Sequence, residues 1–239
     1  MPYSRQSSKS FLSIVLAVVV AGCLTQLLLT ACGRSSSAAP APVEKNTGNQ
    51  SASKDNSATA TATLAAGCFW SMEAIFKQLK GVATVTPGYA GGTVEHPSYE
   101  QVSAGGTGHR ESVLITYDPG KIPYERLLDV FWRNIDPLDA SGQFCDHGMQ
   151  YTTAIFVADE EQRRLAEQSK QAIEEKLGRK VVTAILPAGP FWRAEDYHQD
   201  YYKKNPIRYR FYRYTCGRDA RLDAVWGSEA RSGAPPENH

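Results

Sequence analysis

The chain has 239 residues, room for one domain of ordinary size plus appendages. Its 26 Lys+Arg against 25 Asp+Glu leave it close to neutral, with no block of like charge. That balance excludes a strong electrostatic case for a nucleic-acid partner.

The N-terminus reads as an export segment. Arg5 and Lys9 stand without an acid in the first ten residues, and residues 11–29 are almost wholly apolar. Leu29-Thr30-Ala31-Cys32 resembles a bacterial lipobox, in which small residues precede a cysteine that becomes the lipidated first residue of the mature protein. Val20-Ala21-Gly22-Cys23 fits the same pattern. More apolar chain follows Cys23, whereas a polar tether follows Cys32, so Cys32 is preferred. An uncleaved spanning helix is the competing reading, since about 20 apolar residues cross a bilayer. The expected organisation is an export segment over 1–31, a flexible polar linker over 32–58, a folded domain over 59–229 and a disordered tail over 230–239. Such a domain sits outside the cytoplasm on a membrane tether.

Residues 61–66 read as a strand, Gly67 as a turn, and Trp70 to Lys80 as a helix with Met72, Ile75, Phe76 and Leu79 at helical spacing. Cys68 therefore lands at a helix start, where unpaired N–H groups and the macrodipole favour thiolate over thiol. A buried structural cysteine is the bland alternative. Residues 82–89 form a second strand, and the glycines of 88–92 with Pro97 mark a loop carrying Tyr99. A third strand over 111–117 stops at Asp118-Pro119-Gly120. Pro123 then opens a helix that carries Leu127, Leu128, Phe131 and Ile135 up to Asp136-Pro137. A long loop, Asp136 to Met149, leads into a strand over 151–158. A charged helix over 160–177, C-capped by Gly178, and a strand over 181–186 follow. The β-α-β-β-α-β order predicts an α/β (α+β) fold: a two-layer split βαβ, ferredoxin-like sandwich with helices on one sheet face, plus a C-terminal extension.

Gly67-Cys68-Phe69-Trp70, with Glu73 following, resembles the type A methionine sulfoxide reductases. The resemblance extends through Thr107-Gly108-His109-Arg110-Glu111, Asp146-His147-Gly148-Met149-Gln150-Tyr151 and Ala194-Glu195-Asp196-Tyr197-His198-Gln199, over roughly residues 58 to 227. It implies the same fold. It also implies reduction of methionine-S-sulfoxide, free or in oxidised proteins, with no bound cofactor and a thioredoxin-like dithiol as reductant.

Reducing a sulfoxide needs a thiolate to attack sulfur and an acid to protonate the departing oxygen. Strand alternation puts His109, Glu111 and Val113 on one face, where partial burial raises the Glu111 pKa and keeps a proton available. The resemblance assigns the donor role to Glu111, against a plain solvent-facing carboxylate. It maps oxyanion-steadying phenols onto Tyr99 and Tyr151, and onto Asp146 a carboxylate that organises water and the thiol environment. Phe69 and Trp70 are candidates for the apolar wall that receives the S-methyl group. Glu73, His109 and His198 read as structural, and no Cys/His spacing suggests a metal site.

Outside the export segment the cysteines are Cys68, Cys145 and Cys216, an odd number. One reading is a structural Cys145–Cys216 bridge with Cys68 reduced; the sharper one is a relay in which Cys68 becomes a sulfenic acid and a second cysteine captures it. Many relatives place the resolving cysteine soon after the Asn-Pro that matches Asn205-Pro206, but 207–214 contain none. Cys216 is the expected resolver, with Cys145 as the alternative. Two rival functions remain, a thiol peroxidase or disulfide oxidoreductase, and a non-enzymatic envelope lipoprotein binding methionine-containing peptides. A monomer is expected.

Overall fold

The computed structural model describes residues 59–232. Cys23, Cys32, the export segment, the linker before residue 59 and the tail beyond 232 lie outside the described residues.

Strand β1 (Ala60–Ala65) runs up to Gly67 and Cys68, and helix α1 (Phe69–Phe76) leaves at once. Gly67 has φ +75°, and a Cβ there would stand 2.6 Å from the Gln143 Cβ, so both backbone and space demand glycine. Helix α1 stops a turn short of the predicted Lys80, capped at Lys77. β2 (Val82–Ala90) follows, and the predicted loop after it contains a short helix, α2 (Tyr99–Ser103), started by a Ser98/Gln101 capping box. β3 (Arg110–Tyr117) and α3 (Tyr124–Arg133) match their expected positions closely.

The predicted long loop is folded. Two-residue strands β4 (Gly142–Gln143) and β5 (Asp146–His147) pair as a hairpin around Phe144 and Cys145. A 3-10 turn over Met149–Tyr151 delays the next strand, β6, to Ala154–Val157. α4 (Glu160–Leu177) ends in a left-handed Gly178, as expected. β7 (Ala184–Pro187) begins three residues later than predicted, and β8 (Phe191–Arg193) is an added edge strand. The extension is helical: α5 (Tyr201–Lys204), α6 (Pro206–Thr215) and α7 (Arg218–Trp226).

The main sheet runs β7-β6-β1-β3-β2-β8. Its central order β6-β1-β3-β2 is antiparallel throughout, as a split βαβ unit requires, and β7 adds in parallel to β6. Leu64 pairs with Val113 on one side and Ile155 on the other, and all three side chains join the large core shared with α1, α3 and α4. The opposite face holds only a small cluster around Ala65, Ala90, Ala154 and Phe156. β1 is thus paired along both edges, and the residue after its turn is fixed by the centre of the sheet.

Candidate active site

Cys68 is the N-cap residue of α1, free, and only 5% exposed. It shares a small cavity, about 40 Å³, with Trp70, Tyr99, Glu111, Asp146, Tyr151 and Tyr212. That volume is space for on the order of two or three waters. Five chain segments converge there: the β1–α1 turn, the N-terminus of α2, the start of β3, the β4–β5 hairpin with its following turn, and α6.

The expected low-pKa thiolate is not the resting state. Burial pushes the Cys68 thiol well above the ordinary cysteine range, and the nearby Glu111 and Asp146 carboxylates add to that. Hydrogen bonding from the Tyr212 hydroxyl and the Trp70 backbone N–H works the other way without prevailing. The helix terminus is present, but removing a charge from water outweighs a partial dipole.

Glu111, the second residue of β3, pairs with Tyr89 of β2 and is 4% exposed. Burial raises its carboxyl to about 8; the Phe69 backbone N–H, donating to Oε2 at 3.1 Å, opposes the rise, and Asp146 reinforces it. At neutral pH the group is mainly protonated, an acid aimed into the cavity that holds the thiol. Burial, followed by the charge of Glu111, also raises Tyr99, to about 12, and Tyr151 in the same direction. Tyr151 hydrogen-bonds the Tyr99 hydroxyl, so two phenols that keep their protons line one wall. Tyr99 is held at its backbone, where its N–H donates to Glu195 Oε1 at 2.8 Å. Glu195 also accepts from the Tyr89 hydroxyl at 2.8 Å.

Trp70 closes another side, stacked on Tyr201 at 3.8 Å between ring centroids. Its indole Nε1–H donates to His198 Nδ1 at 3.0 Å, which gives the histidine its structural job. Phe69 differs from expectation. It is fully buried and is not among the residues lining the cavity, its ring packs on His198, Tyr89 and Trp70, and its contribution to the site is the N–H that Glu111 accepts. A residue one step into a helix turns its side chain to the core when the preceding residue turns out. Glu73 is structural, accepting from Lys77 and from the Asp200 N–H.

Sequence reasoning missed Tyr212. Its hydroxyl makes a short hydrogen bond to Asp146 Oδ2 and also bonds Cys68, tying thiol to carboxylate. The signal was available: Tyr209, Tyr212 and Cys216 recur on one face once Pro206 starts a helix. Burial raises Asp146, while the Tyr212 hydrogen bond and the Arg218 charge restrain it.

Cys145 and Cys216 form a disulfide. Their sulfur atoms and an Asp146 carboxylate oxygen lie within 4.8 Å of one another, so the bridge stands directly behind a wall of the cavity. Cys145, at the hairpin tip, is exposed, whereas Cys216, at the end of α6, is half-buried.

A family model described as peptide methionine sulfoxide reductase matches residues 60–230. Among named relatives, the peptide methionine sulfoxide reductase MsrA of Bacillus licheniformis is 50% identical over 168 residues, 70% of this chain and 93% of the relative. That of Bacillus subtilis is 48% identical over 170 residues, 70% of this chain and 96% of the relative. In three dimensions the chain is similar to reduced Mxr1 of Saccharomyces cerevisiae, at TM-score 0.60 and 32% identity over 62% of this chain and 87% of the other. It is also similar to methionine sulfoxide reductase A of Corynebacterium diphtheriae, at TM-score 0.57 and 32% identity, covering 62% and 76%.

Proposed function

The chain belongs to the peptide methionine sulfoxide reductase family, and from that premise we propose that it reduces methionine-S-sulfoxide, free or in oxidised proteins, with Cys68 as nucleophile and Glu111 as acid. The observation that carries the assignment is the convergence of the free thiol of Cys68, a protonated carboxyl and two protonated phenols on one small cavity. The Cys68 sulfur attacks the sulfoxide sulfur. The sulfoxide oxygen takes its proton from Glu111, steadied as it gains charge by the Tyr99 and Tyr151 hydroxyls. The thiol proton lost by Cys68 restores the acid, so the balance is thiol plus sulfoxide going to sulfenic acid plus thioether. Asp146 and Tyr212 hold the thiol in line, and Trp70 faces the S-methyl group.

Cys216 then captures the sulfenic acid. It lies one helical turn beyond Tyr212, which touches the Cys68 sulfur, and the capture forms a disulfide and releases water. Attack by Cys145 on the Cys216 sulfur frees Cys68 and leaves the Cys145–Cys216 bridge, whose exposed Cys145 end suits reduction by a thioredoxin-like dithiol. The reaction needs no bound cofactor. Because Cys68 is free while the other two are bridged, fully reduced enzyme without reductant should release two methionines per chain, the second leaving Cys68 as sulfenic acid. A yield of one, with Cys68 trapped in a stable disulfide, would remove the relay; a transient Cys68–Cys145 linkage would reverse the order of the two partners. Equal consumption of peroxide and sulfoxide would favour the thiol-peroxidase alternative.

We further propose that the domain works outside the cytoplasm as a monomer, tethered through lipid on Cys32. The support is the apolar run 11–29 followed by Leu29-Thr30-Ala31-Cys32. Among the described residues, no helix is long and apolar enough to cross a membrane. Mass spectrometry of the mature N-terminus tests the anchor: a diacylglyceryl cysteine at 32 supports it, and an unmodified or intact N-terminus sinks it. Sedimentation of the detergent-free domain tests the monomer.

A further inference from the structure

Arg218 is 2% exposed, and among the described residues no carboxylate lies within ion-pair distance of it. A buried arginine keeps its proton, so this is an unneutralised positive charge inside the protein, an arrangement that costs stability unless something uses the charge. Its contacts show where the charge is aimed. Nη2 donates to the Asn134 carbonyl at 2.7 Å and lies 3.5 Å from the Met72 sulfur, one helical turn from Cys68 on α1. The guanidinium carbon sits 4.4 Å from the centre of the Phe144 ring, the residue before Cys145. Arg218 itself is two residues beyond Cys216. Nε has no hydrogen-bond partner. One side chain thus touches, or adjoins in sequence, the segments bearing all three cysteines.

We propose that Arg218 is a positioning residue whose buried charge, clamped between Met72 and Phe144, offsets the negative charge that develops on Cys68 and Asp146 during each thiol step. The inference rests on Cys68 as nucleophile. The cavity otherwise concentrates groups that resist ionisation together: Cys68 from the β1–α1 turn, Glu111 from β3 and Asp146 from the hairpin, with Tyr99, Tyr151 and Tyr212 around them. The charged neighbour on the far side is Arg213 of α6, whose guanidinium is paired with Asp219, and Tyr209 and Tyr212 of the same helix also face Arg218. On the sulfur side His147, exposed on the hairpin, stands beside Asp146 as well, which leaves Arg218 as the buried cation there.

The test is the alkylation of Cys68 by iodoacetamide in the oxidised protein, where Cys145 and Cys216 are bridged and Cys68 is the free thiol among the described residues, read on the peptide that carries Cys68 and followed from pH 7 to 9. Arg218→Gln keeps a donor for the Asn134 carbonyl and removes the charge. It should slow alkylation at pH 8 about tenfold, the equivalent of about one unit on the pH axis, and Arg218→Lys should restore the rate to within about threefold. Phe144→Leu takes away the ring that holds the guanidinium and serves if the Gln variant does not fold; it should slow alkylation about two- to fivefold. An unchanged pH profile in whichever of these neutralised or unclamped variants folds overturns the proposal, as does a Lys variant no faster than Gln. Reading alkylation without substrate keeps this failure distinct from that of the functional assignment: a shifted profile with unaffected sulfoxide turnover would discard Cys68 as nucleophile instead.

Discussion

Cys68 and the Cys145–Cys216 pair occupy opposite environments only a few side chains apart. Cys68 is locked between the central strand and the first helix and nearly sealed from water, while the bridge joins an exposed hairpin tip to the end of an appended helix. The difference separates two tasks. The sulfur that meets the sulfoxide needs a dry cavity, where proton donors are worth most and competing attack by water is excluded. Sulfur that meets a reducing protein must be reachable from outside. A single cysteine cannot satisfy both demands, and a relay can.

Breaking the buried side should have the largest effect. Cys68→Ser is expected to lower sulfoxide turnover on the order of 10⁴-fold or more, measured as methionine released. The Cys145–Cys216 bridge should still form in that variant. Residual turnover near the wild-type level would move the chemistry to the surface pair. Glu111→Gln comes next, with a loss of about 10²- to 10⁴-fold in kcat. Wild-type activity should also decline as pH rises through about 8, where the Glu111 carboxyl gives up its proton. A flat profile between pH 7 and 9 would assign the proton to another group.

A smaller effect sharpens the boundary between the two regions. Tyr212 belongs to the appended helix but bonds both Cys68 and Asp146. Tyr212→Phe removes a hydrogen bond to a group that becomes charged, worth about 1.5–3 kcal/mol, or roughly ten- to a hundredfold in rate. The loss should appear in kcat with little change in KM, because the hydroxyl acts on the thiol and not on bound substrate. A pure KM effect would make Tyr212 part of the substrate wall.

The two regions also differed in how much of them could be read from the sequence. Periodicity located β1, α1, β2, β3, α3 and α4, because each buries a regular stripe against one core. The split βαβ order followed from those elements. The site residues carried on them, Cys68 and Glu111, were legible for the same reason, as were Tyr99, Asp146 and Tyr151 through the family resemblance. What escaped depends on contacts distant in sequence. Asp146 sits in a hairpin of two-residue strands, anchored by Gln143 side-chain bonds to both the N–H and the carbonyl of Asp136, and no periodic pattern announces so short an element. Tyr212 lies on a helix whose exposed face carries Ile207, Phe211 and Tyr214, which blurs the polar-out pattern, and Arg218 is a charged residue buried at the first position of the next helix, where the pattern expects a solvent-facing side chain. The Cys68 pKa went in the wrong direction because local helix geometry was visible and burial was not.

The effect with the least bearing on turnover concerns stability, and it follows from the same buried acid. In the unfolded chain Glu111 ionises near 4.5, and in the fold near 8. Between those values the folded state binds more protons than the unfolded one, so stability falls as pH rises through this window and the loss is complete above about 8. Glu111→Gln removes the titration while leaving an oxygen that accepts the Phe69 N–H. The variant should therefore melt close to wild type at pH 5 and clearly higher at pH 8, on the order of ten degrees at about 2–4 °C for each kcal/mol in a domain of this size. Thermal unfolding at the two pH values measures it. A difference in melting temperature that is the same at both would mean that Glu111 is not a buried acid held neutral by the fold, and the dry side of the molecule would lose its proton donor.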